Sequence, residues 1–172
     1  MKKLIYVEEN FISPDDCQKF IDLSLTNKGK EMPYGDETRG GDTYLTTVEW
    51  KDHTAVYLGG DVEPTIPSLD DKVVTNVNDI CKSFDPDIIL DYVGVVRWPV
   101  GTFMKPHFDK NDVYGEDDFE GGSTVFEHME VKPETGKLIV FSNSKYLHYV
   151  TRVDKSERYV LSFWYKYPES NG

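Results

Sequence analysis

Basic residues are outnumbered in this chain, and cysteines are few. Lysine and arginine together number 19 against 31 aspartates and glutamates, a formal charge of −12 at pH 7. A protein that grips a phosphate backbone needs clustered cations, so binding to a nucleic-acid polymer is not expected. The same deficit suits a small anion held by a private arginine, or a peptide with basic flanks drawn in by the acidic field. The only cysteines, Cys17 and Cys81, fall at apolar positions of expected helices. They read as reduced, buried thiols rather than as a disulfide framework. No hydrophobic run approaches membrane-spanning length, and the opening Met-Lys-Lys-Leu-Ile-Tyr-Val-Glu-Glu turns acidic before a signal-peptide core can form. A soluble, cytoplasmic protein with no membrane partner is the expectation; its oligomeric state is not legible. Also missing are a phosphate-cradling P-loop, a dinucleotide glycine fingerprint and the nucleophile elbow of Ser-His-Asp hydrolases.

What is present is the composition of a globular chain. Charged residues make up 29% and aromatics 13%, and 172 residues suit one domain, 1–172, with a full core. Residues 4–7 read as a first strand. Ser13-Pro14-Asp15-Asp16 supplies an N-cap, a proline at the first helical position and acid in the first turn, and Cys17, Phe20, Ile21 and Leu25 follow at helical spacing. Residues 31–50, rich in Gly, Asp and Thr, read as a long loop leading into a strand over 44–50. A second helix opens on a Ser68/Asp71 capping box, carries Leu69, Val73, Val77, Ile80, Cys81 and Phe84 on one stripe, and stops at Asp85-Pro86-Asp87. Strands are then expected over 88–98, 123–131, 137–141, 146–153 and 158–167. Helices followed by a run of strands give an α+β fold: helical support over 1–87 and a β core over 88–167. The acidic stretch 110–120, within the β core, reads as a solvated connection, or as a mobile lid or recruiter of basic peptide.

The chemistry concentrates at Trp98-Pro-Val-Gly-Thr-Phe-Met-Lys-Pro-His107-Phe-Asp109. Residues two apart on a strand point to one face, so His107 and Asp109 can converge on a metal ion. His148 supplies a second imidazole from a distant apolar segment. Two histidines and a carboxylate form the facial triad of non-haem Fe(II) oxygenases, with coordination positions left open. Arg158 begins the last expected strand, and an arginine facing an apolar interior calls for an anion that its fork can grip. Arg152 and Arg97 are rival anion clamps, because alternation alone does not choose among them. His128-Met129-Glu130 is a competing His-x-Glu pair, read as a solvent-facing strand edge, and His53 reads as a surface residue.

In this order the residues resemble the Fe(II)- and 2-oxoglutarate-dependent dioxygenases, within them the prolyl 4-hydroxylase-like branch. The likeness spans 92–164. It includes Gly101 ahead of the His-x-Asp pair, Gly121-Gly122-Ser123-Thr124, Gly136-Lys137-Leu138-Ile139-Val140-Phe141, and His148 followed by Arg158 and Trp164. A weaker likeness covers 11–17. The resemblance implies a double-stranded β-helix, a jelly-roll or cupin-like core braced by two N-terminal helices. It implies iron on His107, Asp109 and His148, and the far carboxylate of 2-oxoglutarate on Arg158 with help from Thr124. Tyrosines common in the family are replaced here by Trp98 and Met104. An indole N–H donates but cannot accept, so Trp98 is a candidate 2-oxoglutarate donor, whereas Met104 contributes packing or pocket wall alongside Trp164 and Tyr92. The implied cofactors are Fe(II), 2-oxoglutarate and O₂, with ascorbate as a candidate reductant. The implied reaction hydroxylates a C–H bond, with a prolyl residue in a peptide or protein as the first choice and release of succinate and CO₂. A free amino acid, a small metabolite or a nucleobase are alternative acceptors, and a non-catalytic metal-binding jelly roll is the alternative outside enzymology.

Overall fold

The structure is a computed structural model that describes residues 5–26, 28, 31–35, 37–47, 56–57, 60–61, 71–108, 114–117, 123–142 and 144–168. In chain order the elements are β1 (Ile5–Glu8), α1 (Pro14–Thr26), β2 (Met32–Tyr34), β3 (Arg39–Gly40), β4 (Thr43–Thr47), β5 (Val56–Tyr57), β6 (Gly60–Asp61), α2 (Asp71–Phe84), β7 (Ile89–Trp98), β8 (Phe103–His107), β9 (Tyr114–Asp117), β10 (Thr124–Phe126), β11 (Met129–Val131), β12 (Leu138–Ser142), β13 (His148–Val150) and β14 (Arg158–Lys166). Both helices form where the apolar spacing puts them. The Ser13 hydroxyl accepts the Asp16 N–H at 3.2 Å, the bond an N-cap makes. After α2, the Asp87 N–H donates to the Asp85 carboxylate at 3.2 Å and turns the chain into β7. Among the described residues, no helix is long and apolar enough to cross a membrane.

The strands close a double-stranded β-helix. One wall is the sheet ordered β14-β7-β4-β2, with β1-β12-β9 continuing it where β9 runs beside β14; the other wall is β11-β10-β13-β8-β3. Strand alternation then divides the side chains into two cores. Val93, Val95, Tyr159, Leu161, Phe163, Leu138 and Val140 face outward and pack under Cys17 and Phe20 of α1 and Val73, Val74, Val77 and Cys81 of α2. Both cysteines are buried in that layer as thiols, not bridged by a disulfide. Inside the barrel, Tyr92, Val96, Trp98 and Val160 of the first wall meet Met104, Val150 and Val153 of the second, and Ile139 and Phe141 meet Phe126 and Val131.

Several expectations are corrected. The supposed loop 31–50 contributes β2 and β3 as well as β4, while 48–50 lie outside the described residues. Elements of two or three residues carry too little periodicity to be read locally; pairing with β4 and β8 makes them strands. The single strand expected over 123–131 is a hairpin, β10 and β11, turning at Glu127 and His128. Within the acidic stretch, Tyr114–Asp117 form β9 and pair with β12. The rest of that stretch, like His53, Ser68 and Leu69, lies outside the described residues.

Gly136 shows how closely the helical layer is seated. It adopts φ +79°, and a Cβ there would fall 2.1 Å from the carbonyl oxygen of Ile12, whose N–H donates to the Gly136 carbonyl at 3.2 Å. Gly136→Ala combines a left-handed backbone penalty with a backbone clash. It is expected to destabilise the fold by about 2 kcal/mol or more in denaturant titration; a loss within about 0.5 kcal/mol would show that the Ile12 segment shifts freely.

Candidate active site

The site is built on the inner faces of the two walls. His107 ends β8 and His148 begins β13, and the antiparallel register sets them directly opposite each other. Their ring centroids lie 4.4 Å apart. Each ring is oriented the same way: Nδ1 of His107 lies 2.8 Å from the Lys105 carbonyl, and Nδ1 of His148 lies 3.0 Å from the Tyr146 carbonyl. A carbonyl only accepts, so each Nδ1 carries the proton and the lone pair of each ring is on Nε2, the tautomer a metal ligand needs. Phe141 meets the His148 ring edge-on at 5.0 Å, and His148 is buried. Asp109 lies outside the described residues, and among those described no three His, Cys, Asp or Glu side chains converge.

On the opposite wall, Arg158 pairs with Trp98 in the β7–β14 register, and both point inward. Arg158 is fully buried at 0% exposure, its guanidinium 4.8 Å from the centre of the Trp98 ring and its Nη2 3.4 Å from the Thr124 hydroxyl across the barrel. The Trp98 indole N–H is buried with no hydrogen-bond partner among the described residues. The Trp164 indole N–H and the Ser162 hydroxyl, further along the inner face of β14, share that condition. Buried donors normally have partners, so a cluster of unmet ones inside the barrel points to a polar ligand. Trp164 stacks on Tyr92 at 5.9 Å with 16° between the planes, and the Tyr92 hydroxyl lies 3.2 Å from that of Tyr34. Met104 packs against this group.

The rival groups are elsewhere. Arg152 is exposed, donates to the Gly101 carbonyl at 2.7 Å and lies over Phe103. Arg97 faces the helical side of its sheet and is bound by Glu31 and Glu157. His128, Met129 and Glu130 are exposed around the β10–β11 turn. One inward residue escaped the sequence reading. Arg39 on β3 pairs with Met104 and reaches across the barrel to lie 4.0 Å over the Trp98 ring and 5.5 Å over Tyr34. Its only sequence signal was the glycine pattern around it: a Cβ at Gly35 would fall 2.5 Å from the Arg39 side chain.

With this geometry in view, comparison with known proteins gives a consistent result. Residues 93–166 match the model of the 2OG-Fe(II) oxygenase superfamily. No curated protein sequence matches the chain. Among solved structures, a Pseudomonas putida prolyl-4-hydroxylase is similar with a TM-score of 0.71 at 14% identity, covering 97% of this chain and 94% of that one. The viral collagen prolyl hydroxylase of Paramecium Bursaria Chlorella virus-1, solved with 2OG, aligns with a TM-score of 0.63 at 17% identity over 95% and 96% of the two chains. A Trichoplax adhaerens prolyl hydroxylase bound to a hypoxia inducible factor peptide aligns with a TM-score of 0.62 at 12% identity over 94% and 83%. The fold is shared with these prolyl hydroxylase structures, and the later strands, 93–166, carry the match to the 2OG-Fe(II) oxygenase superfamily. The superfamily whose model matches works with Fe(II), 2-oxoglutarate and O₂. The residues present fit those groups: two imidazoles in the ligand tautomer, and a buried guanidinium, hydroxyl and indole N–H for a dicarboxylate.

Glu157, on the outward face of the same sheet, gives the fold a measurable pH signature. Burial works to raise its carboxyl, but the Tyr159 hydroxyl at 2.6 Å and Arg97 at 2.8 Å together hold it below its ordinary 4.5. A carboxyl depressed by folding contributes stability that is fully present above 4.5 and is lost as pH falls through the folded value. The melting temperature is therefore expected to drop as pH is lowered below 4.5, and Glu157→Gln should flatten that limb. An acid limb identical in both proteins would mean the cluster contributes nothing to it.

Proposed function

We propose that His107, Asp109 and His148 hold the ferrous ion, and that Arg158 and Thr124 hold the 2-oxoglutarate carboxylate remote from it, with the Trp98 indole N–H as a further donor. The observation that carries the reading is the pair of backbone-oriented imidazoles 4.4 Å apart in a barrel that also buries Arg158. Burial removes competing water, so a bidentate guanidinium–carboxylate contact there is worth more than the same contact at the surface. When bound, the iron supplies the oxidative chemistry by which O₂, 2-oxoglutarate and a C–H bond yield succinate, CO₂ and an alcohol. The chain binds and orients the diacid through Arg158 and fixes the ligand rings through the Lys105 and Tyr146 carbonyls. It walls the acceptor space with Trp164, Tyr92 and Met104.

The acceptor we favour is a prolyl residue in a peptide or protein. The support is the architecture shared with three prolyl hydroxylases and the stacked Tyr92–Trp164 surface, which suits an apolar ring. The −12 charge favours peptides with basic flanks, and the acidic, reduced-thiol character of the chain favours the cytoplasm.

The test is release of CO₂ from 1-labelled 2-oxoglutarate, then a peptide screen read by a 16-dalton mass gain. His107→Ala is expected to abolish stoichiometric iron binding and turnover together; retention of both would refute the ligand assignment. Arg158→Ala removes a charge-assisted contact worth about 1.5–3 kcal/mol, so the 2-oxoglutarate dissociation constant should rise about 10- to 100-fold with iron content unchanged. An unchanged constant would move the diacid to Arg39.

A further inference from the structure

We propose that Arg97, which lies outside the barrel, is a positioning residue for 2-oxoglutarate. With Glu157 it clamps the end of the β7–β14 ladder, and so sets where the Arg158 guanidinium and the Trp98 indole N–H lie. The inference rests on the reading that Arg158 holds the diacid.

The rung that pairs Arg158 with Trp98 is the last of its ladder. The next residue on the β7 side is Pro99, which has no N–H to donate, so the backbone cannot extend the pairing. Ladder ends open more readily than centres, yet this end carries the two inward groups proposed to bind the diacid. Arg97 and Glu157 are the immediate chain neighbours of Trp98 and Arg158 and project to the other face. Nη1 of Arg97 donates to Glu157 at 2.8 Å, and the second oxygen of Glu157 accepts the Tyr159 hydroxyl at 2.6 Å; Tyr159 is the rung partner of Arg97. Nε donates to Glu31 at 3.0 Å, Nη2 donates to the other Glu31 oxygen, and the guanidinium lies 4.6 Å over the Tyr44 ring. One guanidinium thus fastens the entry to β2, the strand β4, the end of β7 and the start of β14. Adjacent residues share a rigid peptide plane, so a displaced Arg97 or Glu157 backbone turns Trp98 or Arg158 with it.

The test measures binding of 2-oxoglutarate to the full chain carrying Mn(II) in place of iron, by tryptophan fluorescence, with a melting temperature for each variant. Arg97→Gln and Glu157→Gln are each expected to weaken 2-oxoglutarate about tenfold while leaving Mn(II) binding unchanged. The double variant should be no weaker than the worse single one, because both act through one contact. Arg97→Lys, which keeps one charge contact, should fall between. Glu134→Gln, which removes a partner of Lys137 in a separate ion cluster, should shift the melting temperature without moving the constant. Should Arg97→Gln fail to fold, Glu157→Gln, at the more exposed partner, carries the comparison. Folded variants with the wild-type constant would overturn the clamp, as would a loss shared by the Glu134→Gln control. Wild-type protein that binds no 2-oxoglutarate would overturn the functional reading itself.

Discussion

The antiparallel ladder between β7 and β14 governs the rest of the molecule. Its period of two sends Tyr92, Val96, Trp98, Arg158, Val160 and Trp164 into the barrel and Val93, Val95, Arg97, Tyr159, Leu161 and Phe163 toward the helices. A slip of one residue would exchange the two sets, placing Arg97 in the cavity and Arg158 under an apolar helical layer. The helices make that slip costly, because their buried faces match only the outward set. Stability and active-site identity therefore depend on one register.

The second wall contributes through a different device. His107 and His148 stand opposite each other on β8 and β13, and a backbone carbonyl two residues before each ring fixes its tautomer. These orienting carbonyls belong to the backbone and take up no side-chain space in the barrel interior. Phe141 and Phe126 then surround His148 with apolar surface.

Between the two walls lies the barrel lining. Both Arg39 and Arg158 lie over the Trp98 ring, one reaching from each wall. Identity to the prolyl hydroxylase structures is 12–17%, so what is held in common is the barrel.

The sequence by itself determined the two helices, the run of later strands, the triad candidates and a short set of candidate arginines. Each of these rests on local spacing: apolar residues at helical period, a His-x-Asp on one strand face, glycines at fixed offsets. Tertiary structure alone decided the remainder. The strands β2, β3 and β9 exist only because β4, β8 and β12 offer edges to pair with, and their own residues carry too short a pattern to announce them. Arg97, Arg152 and Arg158 are equivalent as letters. Pairing Trp98 with Arg158 buries one, binds another between Glu31 and Glu157, and leaves the third at the surface. Arg39 became part of the pocket for the same reason: contact across a barrel is set by the packing of sheets, which no local pattern encodes.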